Sequence, residues 1–497
     1  MKWLWPKNKK TSKTSMSTTT PLPLLFLGKG GQGIVFGPFS HPQLLDSLSV
    51  PLSQISQVSP VSQRVGVDQR QRHQPHQQQT RYILKFTLFP MKRDDADAIR
   101  DQNKKEVRLL KRMLGSSKRS IILPRDYLVM TLTDILCIFG IPFQTNSRSI
   151  TQVNERSWKR LGPVNDEIRP WIEDGLEWIQ ENSEEPNGYY IVEIQPFGGM
   201  DFFEISTNLT FPWSYSMFLQ LWTTWLEALY ACLKLIMKHH LFVSDLKPEN
   251  MVYNPHDGLR LIDVDVMSQS SILEGFHNGS LEVPVISVSA LVLPVQMINP
   301  LFFNQREIDG ILRTYLYRCN KNRDLLKSLM NEQREDPQNP CSSKVVRSWE
   351  RSVPISKRIE DLAVLNVFYP MMMSMLLFIR QLEIYQRRTR TEMWNSVMMR
   401  RMIPMVKKVL RYLLSVRMKN VDPERVLTML RLLPYLTDDS KTFGFILEYL
   451  KTKDEKIWKQ LKGRYDKIYQ NIKSQPLLPD QQRKEKVLGQ QVQQNYF

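Results

Sequence analysis

Several stretches of the chain carry a clear hydrophobic period, and long spans between them carry none. Tyr82 to Phe89, "YILKFTLF", is dense in β-branched and aromatic residues and predicts a strand. From Asp94 to Leu114, Ile99, Val107, Leu110 and Leu114 fall on one face of a predicted helix. "GYYIVEIQPFGG" predicts a second strand that closes on a glycine turn. Residues 214–238 predict a long helix with Leu221, Trp225, Leu229 and Leu233 spaced for burial, and "LRLI" before Asp263 predicts a short strand. Residues 21–37 are apolar and glycine-rich. Residues 40–80 are rich in Ser, Pro and Gln and bury too little apolar surface to order themselves, so they predict a disordered insertion. A second poorly patterned insertion covers about 115–187. No repeat of 20–50 residues is visible.

At 497 residues and 42% hydrophobic content, the chain is long enough for two or three domains or for one bilobal enzyme with insertions. Its four cysteines are scattered without a CxxC pair, which argues against a disulfide framework or a structural zinc site and for a reducing, intracellular setting, nucleus or cytoplasm unresolved. The N-terminal "MKWLWPKNKK" lacks the apolar core of a secretory signal. The longest uncharged run, Val283 to Asn304, is broken by three prolines and reads as buried or partner-covered strand and loop, so no membrane span is expected. The formal charge of +18 is uneven: residues 380–420 hold eleven Lys/Arg against two acids, residues 451–497 eleven against five, and the first twenty residues five lysines and no acid. Such patches suit nucleic acid or acidic protein partners, or act as a solvated face that aids solubility. No aromatic-interleaved recognition motif accompanies them.

Two motifs carry chemistry. "LGKGGQGIV" sets Gly28, Gly30 and Gly33 in a G-x-G-x-x-G-x-V pattern, which lets backbone N–H groups approach phosphate oxygens that a Cβ would hold off. A plain glycine-rich hairpin and a dinucleotide-binding turn compete with that reading, but no ribose-binding acid follows where the latter needs one. The second motif is "VSDLKPENMVY", in which Asp245 precedes Lys247 by two residues and Asn250 by five, with Asp263 thirteen beyond Asn250. Two oxygen ligands on adjacent loops suit magnesium and the phosphates it bridges, and a further carboxylate could orient a hydroxyl. Each residue alone is equally a turn or cap residue; the order and spacing behind a glycine loop and a strand lysine favour chemistry.

In that order, "LGKGGQGIV", "YILK", "VSDLKPEN" and "LIDVD" resemble the glycine loop, strand lysine, catalytic loop and magnesium motif of the eukaryotic-type protein kinases. The resemblance spans about 21–435 with gaps, and its large insertions around a retained core are similar to those of kinases of large DNA viruses. It implies an α+β, bilobal protein-kinase-like fold with a small β-rich N-lobe, a larger helical C-lobe and long insertions. It implies phosphoryl transfer from ATP with Mg²⁺ or Mn²⁺ to Ser/Thr hydroxyls of protein substrates, and the basic patches suit acidic ones. Gly28, Gly30 and Gly33 then cover the phosphates, and Lys85 contacts them while held by Glu106, 21 residues on. Leu27, Val35 and Val252 line the adenine slot, with main-chain bonds near Glu193 and Ile194. Asn250 and Asp263 hold the metal, Asp245 takes the hydroxyl proton, and Lys247 neutralises the γ-phosphate. Asp361 resembles the start of the central helix of the large lobe. Arg425 resembles the arginine that pairs with the activation-segment glutamate, for which Glu350 is the candidate.

The chain departs from the family at Val243-Ser244, where a His-Arg stands before the catalytic Asp, which implies activity without activation-loop phosphorylation. Val264-Asp265 replaces Phe-Gly, with an added carboxylate that either strengthens or distorts metal binding. Ile83 stands where a small residue precedes the lysine and crowds the adenine. The implied organisation is a basic tail (1–20), an N-lobe (21–187), a hinge and C-lobe (188–435) with an enlarged activation segment (268–348), and a basic C-terminal extension (436–497). A pseudokinase or nucleotide-binding scaffold, and a basic nucleic-acid-binding protein, remain the alternatives.

Overall fold

A computed structural model describes residues 22–40 with short gaps, 81–145, 150–153, 165–182, 187–207, 215–278, parts of 360–382, 423–433, 440–452 and 454–474, with Trp158 and Trp213. Apart from Ser40 and Leu382, the predicted disordered insertion, the run Val283 to Asn304, the basic 380–420 stretch, Glu350 and Asp361 lie outside the described residues. The chain is α+β and divides into two units, Met1–Val107 with Pro124–Phe197 and Arg108–Leu123 with Gly198–Phe497. Among the described residues no helix is long and apolar enough to cross a membrane.

The first unit is built on an antiparallel five-stranded sheet in the order β1-β2-β3-β7-β4, from β1 (Phe26–Lys29), β2 (Ile34–Ser40), β3 (Arg81–Phe86), β4 (Asp126–Thr131) and β7 (Tyr189–Pro196). Alternation along β3 sends Tyr82, Leu84 and Phe86 into a core shared with Ile34, Phe36, Val192 and Ile194, and leaves Ile83 and Lys85 on the other face. The strand predicted to Phe89 ends at Phe86. Helix α1 (Arg93–Leu114) follows β3 as the pattern predicts, but its first turns are anchored by buried Ala96 while Ile99 is exposed. It covers the Lys85 face of the sheet through Val107 beside Tyr127 and Ile191.

From Pro124 onward, the stretch expected to be a loose insertion is part of this unit. It supplies β4, α2 (Leu132–Ile138), the β5–β6 hairpin (Phe143–Thr145, Ile150–Val153) and α3 (Asn165–Glu181). Helix α2 opens on a reciprocal cap: Asp134 N–H donates to Thr131 Oγ1 at 3.1 Å, and Thr131 N–H to Asp134 Oδ2 at 2.9 Å. Helices α2 and α3 close the back of the sheet with an aromatic cluster in which Trp171 lies 5.7 Å from Phe86 and 5.5 Å from Tyr190. Gly175 permits this approach, because a Cβ there would stand 2.2 Å from Tyr190 Oη.

The second unit is organised around α5 (Tyr215–His239), which buries Leu221, Trp222, Trp225, Leu229 and Leu233 as the spacing predicts. Against it lie β8 (Met200–Asp201), α4 (Phe202–Thr207), β9 (Leu241–Ser244), β10 (Met251–Asn254), β11 (Gly258–Leu261), β12 (Asp265–Ser268) and α6 (Gln269–Asn278). β8, β10 and β11 form one antiparallel sheet, and β9 pairs with β12. Thr224 on α5 accepts from Leu259 N–H at 2.8 Å, and Gln220 donates to Pro255 O at 2.9 Å, so two α5 side chains fix the β10–β11 hairpin. The same core takes in α7 (Pro423–Leu432), α8 (Ser440–Thr452) and α9 (Glu455–Ser474), so the region expected as a C-terminal extension adds Ile446, Tyr449 and Leu461 to it.

Trp171→Ala tests whether α3 is integral to the sheet. Truncating a side chain that is 1% exposed among Phe36, Phe86 and Tyr190 is expected to cost about 3–5 kcal/mol in denaturant unfolding. A cost below about 1 kcal/mol would mean that the helix does not close the sheet.

Candidate active site

The second unit gathers the charged residues of the "VSDLKPEN" motif. β9 ends at Ser244, and the chain turns at Asp245 with φ +56°, a left-handed conformation that costs a non-glycine residue about 1–3 kcal/mol. The turn closes locally, with Lys247 N–H donating to Asp245 O at 3.0 Å and Asn250 N–H to Lys247 O at 2.9 Å. Pro248–Asn250 then forms one 3₁₀ turn that leads directly into β10.

Side chains reinforce the turn. Buried Asn250 donates from Nδ2 to Asp245 O at 2.9 Å and to Asp245 Oδ2 at 2.7 Å. Lys247 Nζ reaches both carboxylate oxygens, at 3.1 and 2.9 Å. Asp245 is thus fixed by charge-assisted bonds while its side chain stays 10% exposed. Asn250 uses its amide nitrogen on Asp245, which leaves Oδ1 as its spare acceptor. Ile262 N–H donates to Asn250 O at 2.8 Å and ties the following residue, Asp263, to the same loop. Asp263 also has positive φ, +49°, between β11 and β12.

Among the described residues no three His, Cys, Asp or Glu side chains gather to hold a metal ion. An amide oxygen from Asn250 and a carboxylate from Asp263 are hard donors that fit Mg²⁺ or Mn²⁺, which commonly take one or two protein oxygens and complete their shell with phosphate and water.

Asn366 supports the turn from far along the chain. It is 1% exposed and donates from Nδ2 to Val243 O at 2.6 Å, two residues before Asp245. The contact joins residues 123 apart, and nothing in the local pattern of "LAVLNVFYP" marks it. Asp201 is a second residue outside the motif. It caps α4 by accepting Glu204 N–H at 2.7 Å; burial pushes its carboxyl up to about 6 against two backbone bonds, and the charges of Glu204 and Glu249 push the same way.

In the first unit, Gly28 lies at a bulge between β1 and β2, and a Cβ there would meet nothing within 4 Å. Packing within the protein does not require that glycine. Gly33 is different, because its Cβ would stand 2.5 Å from Phe86 O, so the hairpin can cross β3 only with glycine there. Gly30 lies outside the described residues. Leu27 is 47% exposed on β1, Val35 is half-buried opposite Lys85, and Val252 is buried in β10 of the second unit.

Two expected roles change. Glu106 is exposed, and its carboxylate accepts Gln102 Nε2 at 2.9 Å on its own helix in place of the expected Lys85. Glu193 and Ile194 lie within β7, paired with Lys85 and Leu84 on one side and Tyr127 and Asp126 on the other. Their main chain is committed to the ladder, and the strand ends only at Pro196, so they are not the free hinge. Arg425 donates to Tyr449 Oη at 3.1 Å and to Glu455, and lies over the Trp458 ring at 5.2 Å.

Asn366→Ala is expected to cost about 1–3 kcal/mol in urea unfolding, because it deletes a buried hydrogen bond to the Val243 carbonyl. Asn366→Asp should cost more, since it sets a carboxylate against that carbonyl; equal stability of all three proteins would remove the anchor. For Asp201 the folded value lies above the ordinary 3.8, so its contribution to stability is complete below pH 3.8 and is lost as pH rises through about 6. Stability relative to Asp201→Asn should therefore rise when pH is lowered from 7 to 5, and a pH-independent difference would overturn the assignment. No protein-family model, curated protein or solved structure matches the chain.

Proposed function

We propose that the protein is a serine/threonine protein kinase that transfers the γ-phosphoryl group of ATP to a Ser or Thr hydroxyl of a protein substrate. The observation that carries this reading is the Asp245 carboxylate, 10% exposed and fixed in a left-handed turn by Lys247 and Asn250. A lysine on the third strand of the antiparallel sheet, with a helix next in the chain, supports it as the structural context the strand-lysine motif requires. The open space over Gly28 suits a phosphate. The α+β architecture is compatible with a bilobal kinase-like fold.

In the proposed reaction Asp245 accepts the proton of the substrate hydroxyl as its oxygen forms the new P–O bond. The bond from the γ-phosphorus to the β–γ bridging oxygen breaks, and its electron pair leaves with ADP. Lys247, which bonds Asp245, would neutralise the moving phosphoryl charge, and Lys85 would take the α and β oxygens. Asn250 Oδ1 and Asp263 would hold the divalent cation, which supplies charge neutralisation at the phosphates when bound. A nucleotide-binding scaffold without transfer is the second reading, favoured by Glu106 turning to Gln102.

Labelled ATP with Mg²⁺ or Mn²⁺ and basic and acidic model proteins separates the two. Asp245→Asn is expected to keep ATP affinity within a few fold and to lower turnover by about 10² or more. Asp263→Asn should weaken metal-nucleotide binding and turnover together. Unchanged turnover in Asp245→Asn would refute the catalytic assignment. Tight Mg-ATP binding by the unmutated protein with no transfer to any substrate would leave the scaffold.

A further inference from the structure

The nucleotide lysine of the proposed kinase needs a carboxylate to hold its ammonium, and α1 does not supply it in this structure. The Glu106 carboxylate is exposed and bonded to Gln102. Lys104, a cation on the same helix, is on Asp126 at 2.8 Å. What faces Lys85 is set by the sheet. β3 and β7 are antiparallel neighbours, and their register places Lys85 directly opposite Glu193. Directly opposite residues in an antiparallel pair share a face, with Cβ atoms about 4.5–5.5 Å apart. The burial pattern agrees: Tyr82, Leu84, Phe86, Val192 and Ile194 line the core behind the sheet, which leaves Lys85 and Glu193 together on the other side, both half-buried.

We propose that Glu193, through its fixed position opposite Lys85 in the β3–β7 ladder, is the positioning carboxylate for Lys85, in place of a glutamate on the helix. A helix glutamate reaches such a lysine only when the helix is in place. A cross-strand partner keeps its distance as long as the sheet exists, because a slip of one residue would turn every core side chain of β3 outward. β7 is paired along both edges, with β3 on one side and β4 on the other, so neither edge is free. The lysine is therefore held independently of α1, which makes Glu193 a side-chain contributor to the site rather than a main-chain hinge residue. The inference rests on the kinase reading for its role in transfer but on register alone for the pairing.

The experiment reads the pairing without nucleotide. The full-length protein and its Glu193→Gln, Glu193→Asp and Glu106→Gln variants are treated briefly with an amine-acetylating reagent across pH 6–10, and modification of Lys85 is quantified by peptide mass spectrometry. A neighbouring carboxylate holds an amine in its unreactive charged form, and a partner at this range shifts that balance by about one pH unit or more. Lys85 acetylation at pH 8 is expected to rise about 10-fold in Glu193→Gln, to return towards the unmutated rate in Glu193→Asp, and to stay unchanged in Glu106→Gln. A rise in Glu106→Gln equal to or above that in Glu193→Gln overturns the proposal, as does no rise in either. Circular dichroism of each variant identifies unfolding, and Glu193→Thr, neutral and strand-compatible, replaces Glu193→Gln with the same expected rise if Glu193→Gln does not fold. Phosphoryl transfer is assayed on the same preparations: Lys85 responding to Glu193 in a protein that transfers nothing sustains the pairing and refutes the kinase reading. Where transfer occurs, Glu193→Gln should raise the KM for ATP several-fold.

Discussion

The hydrogen bonds from Asn250 to Asp245 are the constraint on which the rest of the candidate site depends. A non-glycine residue at φ +56° persists only where its surroundings over-determine it. Here one amide group does this twice, on the main-chain oxygen at 2.9 Å and on the carboxylate at 2.7 Å. The same residue begins the path into β10 and accepts Ile262 N–H, so the turn that presents Asp245 also places Asp263. Behind it, α5 fixes the β10–β11 hairpin through Thr224 and Gln220. Asn366 holds the strand that enters the turn at Val243. The geometry of one carboxylate thus draws on contacts from residues 220 to 366, and a buried helix at the centre of the unit provides the rigidity.

The first unit solves a different problem, that of holding a charged side chain on one face of a thin sheet. The aromatic cluster of Phe36, Phe86, Trp171 and Tyr190 fills the back, which fixes strand register because a slip would expose it. Register in turn fixes what stands beside Lys85. Hydrophobic burial on one face therefore sets which side chains stand together on the other, and α2 and α3 act on that face through register.

What the sequence revealed and what it hid follow the range of the contacts involved. α1, α5 and β7 are legible because their apolar periods are local. The 243–253 loop was legible because its hydrogen bonds run between residues two to five apart. The stretch 115–187 looked loose because its ordering contacts are distant, as between Trp171 and Thr87 O across 84 residues, and because Pro170 interrupts the helical pattern of α3. Thr131 and Asp134 were the one local signal there, a capping pair three residues apart. The glycine turn after Glu193 suggests a hinge from sequence alone. The ladder continues to Pro196, and alternation within "YIVEIQ" was the clue that Glu193 shares a strand face with Ile191 and Gln195.

The two departures from the protein-kinase pattern that flank the motif are one structural feature. In the proposed kinase Ser244 would stand where the family pattern has an arginine and Asp265 where it has a glycine, and the β9–β12 ladder sets the two directly opposite each other. Ser244 is 2% exposed, in a strand that also buries Phe242 and Val243. A guanidinium there would be buried at a desolvation cost of several kcal/mol unless paired, whereas a serine hydroxyl is small enough to sit in the ladder. The segment that presents Asp245 is therefore ordered by main-chain pairing with β12 and by the Asn366 amide on Val243 O. Neither depends on a phosphate arriving from elsewhere. In the proposed kinase, order in the catalytic loop would then be a property of the fold itself, and control over transfer would have to act at another point: on access to the site, on the nucleotide, or on the substrate.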